Sequence, residues 1–169
     1  MIYLREITYS DLNTINIWRN DKDTIDLLGA NFRYINIETD SEWMNQYQKN
    51  REHQVRCAIC DDDKMIGMIS IVNIDYINRK AELHLMIGDK DSRGKGYGTK
   101  VMKMMINHAF YNLNLNKLYL TTLETNEGAK KLYSKVGFKI DGILRDEVYK
   151  NGKYINCLIM SILKDDYEY

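Results

Sequence analysis

The chain has 169 residues, no net formal charge, 44% hydrophobic and 28% charged residues, three cysteines and no proline. This is the size and balance of one globular domain over residues 1–169, and the missing basic excess excludes nucleic acid as an obligatory partner. No run of about 18 apolar residues offers a membrane span, and the odd cysteine count makes no disulfide framework, so a reducing cytoplasm is the expected location.

Ile2 to Ile7 is predicted as a strand. Ser10 then caps a helix to about Asn20, with Leu12, Ile15 and Trp18 at helical spacing. Asp21 to Asn36 reads as irregular, with a helical turn near Thr24 to Leu28. A second helix runs from about Ser41 to Asn50, where Thr39 and Glu42 resemble a capping box. Val55–Cys60, Met65–Asn73 and Ala81–Ile87 are strands joined by short polar turns, hence an antiparallel meander. Lys100 to Leu113 carries Val101, Met104, Met105, His108 and Ala109 on one helical face, which puts His108 in the core.

Lys117 to Leu123 is the next strand, and Asn126 to Val136 is a helix closed by Gly137. Phe138–Tyr149 and Tyr154–Leu163 pair across Asn151-Gly152, a strong hairpin signal. The order β-α-α-β-β-β-α-β-α-β-β defines an α/β fold with a mixed sheet, antiparallel at first and with a central βαβ unit.

Between strand and helix lies Ser92-Arg93-Gly94-Lys95-Gly96-Tyr97-Gly98-Thr99. Three glycines in five residues leave amide N–H groups bare at the positive end of a helix, a socket for phosphate oxygens. A P-loop needs Lys-Ser/Thr after its last glycine, whereas this chain reads Gly98-Thr99-Lys100. A dinucleotide fingerprint needs G-x-G-x-x-G in an opening βαβ unit, and here the spacing is G-x-G-x-G after a meander.

What matches is R-x-x-G-x-G (Arg93, Gly96, Gly98), followed by a helix, a strand, N-x-x-A-x-x-x-Y (Asn126, Ala129, Tyr133) and Gly137-Phe138. This resembles the GNAT superfamily of acyl-CoA-dependent N-acetyltransferases. Ile87-Gly88-Asp89-Lys90 and the tail Tyr149 to Tyr154 resemble the branch holding ribosomal-protein alanine, spermidine and amino-sugar-nucleotide acetyltransferases. The resemblance implies acetyl-CoA as donor, direct transfer to the primary amine of a small molecule, and no metal. It also implies central parallel strands that splay apart between Leu83–Ile87 and Lys117–Leu123. A homodimer is common among relatives, and the sequence does not show one.

By the same resemblance, the backbone of Arg93, Gly94, Lys95, Gly96, Tyr97, Gly98 and Thr99 takes the diphosphate of coenzyme A. Lys95, Lys130, Lys131 and Lys135 are candidate phosphate contacts. Leu85, Met86 and Ile87 pair with the pantetheine arm, and Asn126 hydrogen-bonds it while capping its helix. Tyr133 matches the position of the general acid, where its hydroxyl (pKa about 10) can hydrogen-bond or protonate the leaving thiolate (thiol pKa about 8.5). Glu82 and His84 lie two apart on one strand face, which makes Glu82 the first candidate base and His84 the second.

Cys57 and Cys60 lie three apart on a strand, where side chains diverge, so neither a metal nor a redox role is expected. The Asp61-Asp62-Asp63 run reads as a solvated turn. The acceptor is expected among the N-terminal helices and Asp21 to Asn36. Asp21, Asp23, Asp26, Glu38, Asp40 and Glu42 could serve a polyamine. An amino-sugar nucleotide is slightly preferred, with Trp18-Arg19-Asn20 helping to hold it. The alternatives are a protein N-terminus as acceptor, or a non-catalytic acyl-CoA-binding module.

Overall fold

Alternating apolar residues and short polar turns build a seven-stranded sheet in the computed structural model, which describes residues 1–167. The last two residues of the predicted 1–169 domain lie outside the described ones. The strands are β1 (Ile2–Glu6), β2 (Val55–Asp61), β3 (Lys64–Asp75), β4 (Lys80–Ile87), β5 (Lys117–Leu123), β6 (Lys139–Lys150) and β7 (Lys153–Leu163), in the order β1-β2-β3-β4-β5-β7-β6. The helices are α1 (Leu12–Arg19), α2 (Lys22–Asp26), α3 (Ile37–Lys49), α4 (Tyr97–Asn107) and α5 (Glu127–Lys135).

Each face of the sheet has its own core. Ile69, Ile71 and Leu83 point to one side, where they meet Val101, Met105 and Phe110 from α4 and its final turn, with Tyr133 of α5. Ala58 and Met68 point to the other side and pack with Ile15, Trp18, Met44 and Tyr47 of α1 and α3. Period-two alternation in the strands thus feeds two helical layers.

Three helix boundaries differ from expectation. Thr8, not Ser10, opens the first helical segment: its amide donates to the Asp11 carboxylate at 2.8 Å, and a short 3-10 turn over Tyr9–Asp11 leads into α1. α3 begins at Ile37 rather than Ser41, because Asn36 caps it by accepting from the Thr39 amide at 3.0 Å. Its first turn holds Asp40, fully buried against Arg19 and Asn16, a polar contact with no apolar periodicity to announce it.

α4 starts at Tyr97, inside the glycine run, with left-handed Gly96 (φ 82°) as its cap, and it ends in a wide π turn over His108–Asn112. There His108 is half-buried and meets Asn112 at 3.2 Å, so it is not the core residue expected. The C-terminal hairpin turns at Asn151 (φ 51°) and Gly152 (φ 84°), the left-handed pair that a two-residue hairpin turn requires.

All neighbouring strands are antiparallel except β4 and β5. That parallel pair holds over only three rungs, Lys80 with Lys117, Ala81 with Leu118 and Glu82 with Tyr119. Beyond Glu82, β4 keeps only β3 as partner and β5 only β7, so the sheet opens in a V. One wall of the V depends on Gly67, where an added Cβ would lie 2.3 Å from the Met86 carbonyl oxygen. Gly67→Ala should therefore cost about 1–3 kcal/mol by overpacking against backbone that cannot rotate away. A thermal melt unchanged from wild type would refute this.

Candidate active site

The end of β4 leads directly into the glycine loop. Gly94 (φ 74°) and Gly96 (φ 82°) hold left-handed conformations, and a Cβ at either would meet nothing within 4 Å. The loop therefore faces open space, and its glycines serve backbone shape rather than packing. Among the described residues, no side chain caps α4 and nothing accepts from the amides of Gly94, Lys95 or Gly96. With the first-turn amides of Tyr97, Gly98 and Thr99 they form a row of donors at a helix N-terminus, suited to a diphosphate. Gly98 serves packing instead, since a Cβ there would touch Leu132 at 3.0 Å, and its absence lets α4 approach α5.

Arg93 departs from the expected role. Its amide donates to the Lys90 carbonyl at 3.2 Å, and its guanidinium donates to the Ile87 carbonyl and the Thr24 hydroxyl, both at 2.9 Å. It ties the end of β4 to α2, and the open socket shortens to residues 94–99. The Tyr97 hydroxyl donates to Asp61 at 2.8 Å, which anchors α4 to the end of β2 and raises the phenol's pKa through that carboxylate. Asp61 thus has a structural partner that a solvated-turn reading missed.

Lys95 and Lys131 are exposed, while Lys130 pairs with Glu127 at 2.5 Å. Leu85, Met86 and Ile87 lie along the β4 edge that has lost β5, each half-buried. Asn126 caps α5 by accepting from the Ala129 amide at 3.0 Å, and its Nδ2 donates to the Leu27 carbonyl at 3.0 Å. α2 is thereby tethered to both sides of the V.

Tyr133 is 8% exposed, packs against Phe138, and its hydroxyl hydrogen-bonds to no described residue. Burial pushes its pKa up to about 12, so it is a proton donor throughout the neutral range. On the opposite sheet face, His84 Nε2 lies 3.0 Å from Glu82 Oε1, and Asn73 donates to Glu82 Oε2 at 3.2 Å. The hydrogen bond from His84 holds the Glu82 carboxyl below its ordinary pKa, with burial opposing. Glu82 sits on the last rung before the strands part.

The N-terminal acceptor candidates fare differently. Trp18 packs its ring over Gly88, Arg19 pairs with Asp40, and Asn20 bonds to the backbone of Asn16 and Ile35. All three hold the fold together. Asp21 and Asp23 meet Lys90, and Asp26 meets Lys22. Glu42 accepts from Asn45 and Gln46, and Glu38 is exposed.

Cys57 and Cys60 belong to opposite cores, and all three cysteines are free thiols. Among the described residues, no group of three or more His, Cys, Asp or Glu side chains could hold a metal, and no helix is long and apolar enough to cross a membrane.

A mixed sheet split between two parallel strands, with a row of amide donors following one of them, suits an extended phosphate-bearing carrier. The chain belongs to the acetyltransferase (GNAT) domain family, whose family model matches residues 2–139.

Among its relatives, the spermidine N(1)-acetyltransferase of Escherichia coli (strain K12) is 35% identical over 120 residues, 71% of this chain and 62% of that protein. The putative ribosomal N-acetyltransferase YdaF of Bacillus subtilis (strain 168) is 32% identical over 127 residues, 75% of this chain and 68% of its own. A crystal structure of spermidine N-acetyltransferase from Vibrio cholerae in complex with CoA and spermine superposes with a TM-score of 0.92 at 28% identity, covering 98% of this chain and 97% of that one.

Proposed function

We propose that residues 1–169 form one acetyl-CoA-dependent N-acetyltransferase domain that passes the acetyl group directly to a primary amine. The observation that carries this reading is the parting of β4 and β5 after Glu82 and Tyr119, with unoccupied amide donors at the tip of β4. In this reading the β4 edge from Leu85 to Ile87 pairs with the pantetheine arm. The amides of residues 94–99 hold the diphosphate, flanked by Lys95, Lys131 and, once released from Glu127, Lys130.

Chemistry then follows from position. The acceptor nitrogen attacks the thioester carbonyl carbon, and a β4 amide near Met86 or Ile87 stabilises the oxyanion. As the C–S bond breaks, the Tyr133 hydroxyl donates to the sulfur. Glu82 accepts the proton lost by the amine and hands it outward through His84, whose side chain is 55% exposed.

The names of the relatives, and the spermine bound to the Vibrio cholerae neighbour, support a polyamine as acceptor and move it ahead of the amino-sugar nucleotide. A half-buried carboxylate at the mouth of the V suits an ammonium substrate. A neighbour with TM-score 0.85, the Vibrio cholerae spermidine N-acetyltransferase, is described as dodecameric, which supports self-association here, with a homodimer as the smallest unit. Free thiols suit a reducing cytoplasm.

The test is thiol release from acetyl-CoA with spermidine, spermine, amino sugars, aminoglycosides and N-terminal peptides. Turnover with the polyamines above the other amines is expected. Thermal stabilisation by coenzyme A without turnover on any amine would leave the acyl-CoA-binding module instead.

A further inference from the structure

On the acceptor side, the half-buried cation Arg56 meets no carboxylate among the described residues. Register places Arg56 of β2, Ser70 of β3 and His84 of β4 in a single row across one sheet face. Two inter-strand spacings make the row about 10 Å long. It ends beside Glu82, where the amine reacts in the reading above. At its far end, Arg56 borders a groove of about 400 Å³ lined also by Glu6, Tyr47, Arg51, Gln54 and Glu52, whose carboxylate lies 3.5 Å from the His53 ring.

The charges in this groove are unequally satisfied. Arg51 grips Glu6 through two hydrogen bonds of 2.8 Å, and the Tyr47 hydroxyl donates to the same carboxylate. Arg56 donates its Nε to Gln54 at 2.8 Å and stacks 5.0 Å from the Trp43 ring centroid, yet it pairs with no described carboxylate. Burial lowers the pKa of this guanidinium, as expected for a cation that has lost water without gaining an anion. Ser70, 3% exposed and midway along the row, hydrogen-bonds to no described residue. A half-buried guanidinium short of an anion and a small hydroxyl that keeps access to solvent, in line with the reacting position, describe a subsite that an anion fits.

We propose that Arg56, with Ser70, binds a phosphate or carboxylate on the far end of an acceptor whose primary amine reaches Glu82 and His84. The proposal rests on the acetyl-transfer reading but not on the polyamine. A polyamine lying along this row would bring an ammonium against the guanidinium. The row therefore serves a second class of acceptor, an amine that carries a distal anion.

Three homologous series of unbranched acceptors, supplied with acetyl-CoA, test this: ω-amino carboxylates, ω-aminoalkyl phosphates and diamines of matched length. For wild type, one of the two anionic series should be acetylated with a kcat/KM that peaks at one chain length, and that series identifies the anion. Arg56→Met should lower that kcat/KM about 10- to 100-fold, the loss of one charge-assisted pair, while diamines hold or gain. Arg56→Lys should restore part of the loss.

A readout independent of turnover is quenching of tryptophan fluorescence by an alkyl phosphate in the coenzyme A-loaded protein, because Trp43 adjoins the guanidinium. Quenching in wild type but not in Arg56→Met, with no amine acetylated, would sustain the anion subsite and refute acetyl transfer. No length optimum in either anionic series, with Arg56→Met silent in both readouts, would overturn the proposal.

Discussion

Tyr133→Phe should lower kcat for acetyl transfer by about 10- to 1000-fold while leaving coenzyme A affinity nearly unchanged, as expected for a group acting on the leaving sulfur. The hydroxyl is the one polar atom of a side chain otherwise held in the core, and no described residue occupies it. Removing it leaves the ring packed on Phe138, so the folded state should be nearly as stable. Stopped-flow and steady-state thiol release, beside calorimetric titration with coenzyme A, separate the two effects. Equal turnover in wild type and Tyr133→Phe would take the residue out of the chemistry.

The pH dependence follows with a definite sign. Burial raises the phenol's pKa from 10 to about 12, so the folded protein resists ionising it. The stability this represents is intact below pH 10 and is lost as pH climbs toward 12, where the unfolded chain ionises first. Turnover should accordingly show no descending limb from Tyr133 below pH 10. A limb there that vanishes in Tyr133→Phe would contradict the burial argument.

Gly96→Ala should weaken coenzyme A binding at least about 10-fold, with only a modest fall in melting temperature. The left-handed backbone at φ 82° costs an L-residue about 1–2 kcal/mol, and the relaxation that relieves it turns the first amides of α4 away from the diphosphate. Each charge-assisted hydrogen bond lost there is worth about 1.5–3 kcal/mol. Gly94→Ala makes the same demand at φ 74° and should behave alike. Undiminished affinity in both, measured by titration calorimetry, would show that these amides do not hold the phosphates.

Much of this was legible in the order of residues alone. β5 begins and ends at the predicted residues, and the C-terminal hairpin turns at the predicted pair, because apolar alternation and left-handed turn residues are local signals. The glycine socket and Tyr133 were legible for another reason: two short motifs stand in order at a set separation along the chain. Polar contacts between distant segments left no such trace. The early start of α3 rests on Asn36 and on Asp40 meeting Arg19, and the residues credited with holding a ligand, Trp18-Arg19-Asn20, hold the fold instead.

Local patterning thus determined the order of elements, and the family resemblance singled out the glycine loop and Tyr133 of α5. Arg56 carried one faint local signal, a charge inside the apolar run Val55 to Ile59. Only tertiary structure decided the rung, Glu82 with Tyr119, after which β4 and β5 part, that Arg93 faces inward, and that Arg56 lines up with His84. The physical reason is that strand register and ion pairing are set by which strands and helices meet. A guanidinium is satisfied or left waiting by neighbours that lie tens of residues away along the chain.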